Sequence, residues 1–155
     1  MSSGPHEDVS LELESIDHGL RFAGHSGSFN LVIDSGPGAV APNPVRLLML
    51  SLGACVGMDV ISILRKKRLT VTVYSIAVSG ERRGEHPRSF TRLELVHRVR
   101  GRDVPAAAVE EALRLSATRY CTVSAQIGNS ATITHRVEIL ADAPPGGAAL
   151  QPERP

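Results

Sequence analysis

The sequence predicts a single α+β domain, and three observations predict it. Residues alternating apolar and polar in strand fashion occur before residue 35, again over 70–101 and again over 131–139. Between the first two groups lies "PVRLLMLSLGACVGMDVISIL" (44–64), apolar on nearly every face, as expected of a helix surrounded by protein. A chain of 155 residues, 42% of them apolar, can bury one real core and is too short to suggest two independent ones. Aromatic residues are only 3% and Trp is absent, so that core is built from Val, Ile, Leu and Ala and offers bases no stacking platform. A net charge of +1 gives no electrostatic capture of nucleic acid, which leaves small molecules as the expected partners.

Taken in order, residues 1–7 read as a flexible start, 8–141 as the domain and 142–155, "DAPPGGAALQPERP", as a disordered tail. "DVSLELES" (8–15) sets Val9, Leu11 and Leu13 between polar neighbours, the two-residue period of a half-buried strand. Two short strands follow near 20–23 and 28–34, divided by Gly24 and Gly27, and the three together predict a meander. "GPGAVAPNP" (36–44) is a loop feeding a helix from about Pro44 to Arg68, whose basic "RKKR" (65–68) suits the negative end of the dipole. Gly53 and Gly57, one turn apart on one face, admit a close neighbour, either a sheet or a second subunit. "TVTVYSIAVSGERR" (70–83) and "SFTRLELVHRVRG" (89–101) form a long hairpin turned at Gly84 and Pro87. A second helix begins at Asp103 as N-cap with Pro105 in its first turn, and carries a stripe of Val109, Leu113, Ser116, Ala117 and Tyr120. Strict alternation from Ala131 to Ile139 closes the domain with a strand.

The polar opening "MSSGPHEDVS" lacks the apolar core of a secretory signal, so a cytoplasmic location is expected. The apolar run from Leu47 to Met58 stops at Asp59, short of the roughly twenty residues a membrane span needs, so no membrane partner is expected. In a reducing compartment two cysteines imply redox, catalytic or inert thiols rather than a structural staple. Cys55, mid-helix in the most apolar stretch, is either a small core residue or a reactive thiol held in a dry pocket. Cys121 continues the apolar stripe of the second helix, so both thiols face the same interior. A reactive thiolate there needs a cation, because burial raises the thiol pKa. Arg46 lies about 13–14 Å away along the same helix, out of direct reach, and Arg21 on an early strand is the other candidate. Asp59, one turn beyond Cys55 on its face, opposes thiolate formation. His97 or His135 could serve as a base, but each reads more simply as a satisfied core histidine. A Cys–Cys–His zinc site is conceivable from the inventory, but none of its ligand pairs has the close spacing of a metal site, and no metal or cofactor is expected.

"NPVRLLMLSLGACVGMDVISILRKKRL" (43–69), "GERRGEHPRSF" (80–90) and "RYCTVSAQI" (119–127) together resemble the OsmC/Ohr superfamily, in particular its OsmC-like branch, over about residues 8–140. The resemblance implies an intertwined homodimer with curved, mostly antiparallel sheets around a long buried central helix, and active sites at the subunit interface. It implies a thiol-dependent peroxidase acting on organic hydroperoxides. Cys55 matches the peroxidatic cysteine, which passes through a sulfenic acid, and Cys121 the resolving cysteine, which condenses with it into a disulfide. An external dithiol would reduce the pair again. One departure stands out: where the family places an acid near the start of the cysteine helix, this chain has Val45 and Arg46, and the family's arginine turn is replaced by "AGHSGS" (23–28). Arg21 and Arg46 are therefore the candidates to activate the thiol. The alternative reading is a non-catalytic protein of the same fold that binds an apolar small molecule at the dimer interface, with cysteines that are only redox-responsive.

Overall fold

A computed structural model describes residues 7–14 and 19–141 of the chain. Apart from Glu7, the flexible start expected over 1–7 and the tail expected over 142–155 lie outside the described residues. The chain divides into two compact units, one ending at Leu50 and the other beginning at Ser51.

In the N-terminal unit the alternating pattern yields an antiparallel meander of β1 (Ser10–Leu13), β2 (Phe22–Ser26) and β3 (Phe29–Ile33). Ser26 pairs with Phe29, leaving a two-residue turn whose Gly27 adopts φ +57°. That left-handed conformation matches the twist of a tight hairpin and costs glycine little. Past β3, the buried Asp34 gathers the loop that follows: its carboxylate accepts the Ser35 and Val40 backbone N–H groups at 2.8 and 3.0 Å. Asn43 then starts the long helix α1 (Pro44–Lys66), its side-chain oxygen accepting the Arg46 backbone N–H at 3.0 Å. Pro44 occupies the first helical position, where its missing N–H costs nothing. The helix stops at Lys66 rather than Arg68 because Arg68 turns to φ +62° and the Leu69 N–H returns to the Leu64 carbonyl, a left-handed closure.

The C-terminal unit holds the remainder of α1 and a sheet of order β4-β5-β6. Strands β4 (Thr70–Arg82) and β5 (Phe90–Arg102) form the expected antiparallel hairpin. β6 (Thr132–Ile139) lies parallel to β5, which takes the centre of the sheet and buries Leu93, Leu95, Val96, His97 and Val99. On α1, Leu52, Val56, Val60 and Leu64 make the buried face, with Gly53 and Gly57 seated against Val78 and Ile76 of β4. Along α1, Leu48, Leu50 and Met58 are exposed among the described residues. By length and composition alone α1 is long and apolar enough to cross a membrane, with 28% of its apolar window buried.

The crossover from β5 to β6 departs from the single helix expected after Asp103. Asp103 takes φ +53° in the turn, and Pro105 holds the N-cap of α2 (Ala106–Leu115). A π-helical turn, Ser116–Tyr120, then follows, Cys121 is extended, and a short helix α3 (Thr122–Ile127) begins. The wider π ring rotates the chain relative to a regular helix, which leaves Ala117 and Tyr120 exposed while Val109, Leu113 and Ser116 stay buried. Cys121 is released from the helix and becomes the cap of the next one.

Candidate functional site

Three side chains converge in the C-terminal unit. Cys55 and Asp59 lie one turn apart on one face of α1, and Cys121 comes to them from the start of α3. The two sulfurs are 2.7 Å apart, and the ligand atoms of Cys55, Asp59 and Cys121 lie within 4.8 Å of one another. The π turn makes this meeting: it buries Ser116, whose hydroxyl donates to Asp59 Oδ2 at 2.7 Å, and then lets the backbone leave the helix so that Cys121 faces α1.

The first turn of α3 supplies donors to both thiols. Cys121 Sγ accepts from the Ser124 backbone N–H at 3.3 Å and from the Ser124 hydroxyl at 3.1 Å, and the Val123 N–H is directed at Cys55 Sγ. The Val123 donor favours charge on Cys55, but burial opposes it more strongly, and the Cys121 hydrogen bond and the negative charges of Cys121 and Asp59 add to that opposition. The Cys55 thiol is consequently pushed up from its ordinary value. Access differs between the two sulfurs: Cys55 is half-buried, whereas Cys121 is only 3% exposed.

Arg21 and Arg46 belong to the N-terminal unit. Arg21 pairs with Asp34 at 3.1 Å and lies 3.9 Å from Glu14. Arg46 is exposed in the first turn of α1. His97 and His135 join each other instead of a thiol, with His97 Nε2 at 3.1 Å from His135 Nδ1 and His97 Nδ1 at 2.8 Å from the Tyr74 hydroxyl. Desolvation lowers the pKa of both imidazoles, that of His97 to about 4. His97 is a buried, hydrogen-bonded core histidine and His135 a half-buried one.

Ser116, Ser124 and the Val123 N–H did not emerge from the sequence as site groups. Ser124 stands three residues after Cys121, which caps α3, and a cysteine cap gives no recognisable capping signal in the sequence. The role of Ser116 rests on the π turn, which the uninterrupted helical spacing of the sequence does not disclose.

Comparison with known proteins gives a consistent picture. Residues 36–136 match the family model described as OsmC-like protein. Protein YhfA of Escherichia coli (strain K12) is 40% identical over 124 residues, covering 79% of this chain and 92% of the relative. The crystal structure of a hypothetical protein from Aquifex aeolicus VF5 superposes with a TM-score of 0.76 at 31% identity, covering 89% of this chain and 100% of that one. The organic hydroperoxide resistance protein OhrB of Bacillus subtilis shares the fold at a TM-score of 0.57 and 14% identity, over 86% of this chain and 98% of its own.

Proposed function

Because the chain belongs to the OsmC-like protein family, we propose that it is a thiol-dependent peroxidase that reduces organic hydroperoxides at Cys55 and Cys121. The observation that carries the reading is the 2.7 Å contact between two free thiols, one half-buried and the other buried. Cys55, the accessible sulfur, attacks the terminal peroxide oxygen; the O–O bond breaks, the alkoxide takes up a proton and leaves as alcohol, and Cys55 becomes a sulfenic acid. Cys121 then displaces the hydroxyl, which leaves as water with the Cys121 proton, and a disulfide forms. An external dithiol returns both sulfurs to the reduced state. The fold neighbour named for organic hydroperoxide resistance supports the substrate class.

In this reading the protein works as a homodimer in the cytoplasm. The uncovered apolar residues of α1, among them Met58 at 73% exposure, supply a surface that a second copy would cover. Arg46 stands in the helix turn where the family acid is replaced and provides positive charge to the thiolate across the dimer.

A second reading, a binder of an apolar small molecule with redox-responsive cysteines only, draws on the raised Cys55 thiol. An open groove of about 640 Å³ along α1, lined by Gly57, Met58, Ile61, Ser62, Arg65 and Lys66, favours it too. Titrating reduced protein with substoichiometric cumene hydroperoxide separates the two. The peroxidase loses two thiols per peroxide, loses this reaction in Cys55→Ser and is slowed in its first step by Arg46→Met. Consumption no faster than by free cysteine removes the peroxidase and leaves the binder.

A further inference from the structure

We propose that the reduced Cys55 and Cys121 thiolates, together with the Asp59 carboxylate, form a three-ligand site for one Zn²⁺ ion. Cys55 and Asp59 occupy successive turns on one face of α1, a spacing that lets two side chains chelate a single ion, and Cys121 closes over them from the start of α3. Two sulfurs and one oxygen make a donor set that suits zinc and is too soft for magnesium or calcium. Three protein ligands leave a fourth position for water, reached through the half-buried Cys55 and Asp59.

The groups around the ligands carry the inference beyond a coincidence of spacing. Every one of the three is already oriented by an outer donor: Ser116 Oγ on Asp59 at 2.7 Å, Ser124 N–H and Oγ on Cys121 at 3.3 and 3.1 Å, and Val123 N–H on Cys55. Such bonds to ligating carboxylates and thiolates fix their direction and tune the metal, and they are the half of a metal site that a chance cluster lacks. With Zn–S bonds of about 2.3 Å, two sulfurs on a tetrahedral ion sit about 3.7 Å apart. The present 2.7 Å contact therefore opens by about 1 Å, a movement within reach of a small cysteine rotation.

The site stands apart from the peroxidase reading: a chain that takes up the ion and consumes no hydroperoxide keeps this proposal and loses that one. The experiment uses the reduced full-length protein under argon, titrated with ZnCl2 against a chromophoric chelator, with Co²⁺ as a spectroscopic substitute. One Zn²⁺ per chain is expected, with an intense thiolate-to-cobalt absorption in the Co²⁺ form. The Cys55→Ser/Cys121→Ser variant is expected to lose both signals. Ser116→Ala, which keeps all three ligands, is expected to weaken zinc by about 10–100-fold, and Asp59→Asn by at least as much. Circular dichroism of each variant keeps misfolding from passing for loss of the site. Zinc uptake by the wild type no tighter than by the double serine variant overturns the proposal, and so does unchanged affinity in a folded Asp59→Asn.

Discussion

Cys55 sits where two demands conflict. Its position in the buried middle of α1 brings it to Cys121, and the same burial disfavours the thiolate that a nucleophile requires. Its thiol is pushed above its ordinary value, so at neutral pH only a small fraction is ionised. The sign follows directly: the first oxidation step should speed up as pH rises from 7 to 9 and still be climbing at the upper limit. In Asp59→Asn one repelling charge is gone, and the whole profile should move to lower pH. Stopped-flow oxidation by cumene hydroperoxide at several pH values checks both; a plateau below pH 8 in the wild type would show a thiol ionised far more easily than its surroundings allow. At this scale the sequence made both cysteines and the opposing Asp59 legible, Cys55 by the apolar stretch around it and Asp59 by lying one turn beyond it. The distance between the sulfurs was not legible, because it depends on how two distant segments pack.

Among the elements, the hairpin of β4 and β5 is the most exacting about a single atom. Gly101 pairs with Val71 beside a register shift, and an added Cβ there would run into the Thr70 carbonyl and lie 2.8 Å from Val104 Cγ2. Backbone on one side leaves no flexible group to yield. Gly101→Ala should cost about 1–3 kcal/mol by urea unfolding, whereas Gly84→Ala, with nothing within 4 Å, should fall within about 0.5 kcal/mol of the wild type. Equal stabilities would mean that the strands slide to make room. The hairpin, α1 and the last strand were all legible, because alternation, Pro44 and the basic end near Arg65 each act locally. The break of the second helix at Ser116 was not. Val109, Leu113 and Ser116 continue without interruption into Ala117 and Tyr120 at helical spacing, and only the pull of tertiary contacts on Ser116 and Cys121 selects a π turn there. Asp103 likewise resembles a cap in sequence, yet the turn places it at positive φ and Pro105 takes the cap.

At the scale of the molecule, the chain carries two compact units joined through one helix, and the family fold was recognisable from motifs before any coordinate was known. That β6 runs parallel to β5 was not, since a crossover and a hairpin leave the same alternation in a strand. This parallel pairing has a further consequence. Cys121 lies inside the crossover between the two strands, and its neighbour in space is 66 positions earlier in the chain. Joining the sulfurs would lace the crossover to α1 and remove freedom from the unfolded polymer worth about 4 kcal/mol by loop-closure arithmetic. Oxidised protein should therefore melt higher and resist thermolysin longer than reduced protein, a difference that Cys121→Ser would erase. The turnover state of such a molecule is written into its mechanical resilience, and a protease can read it.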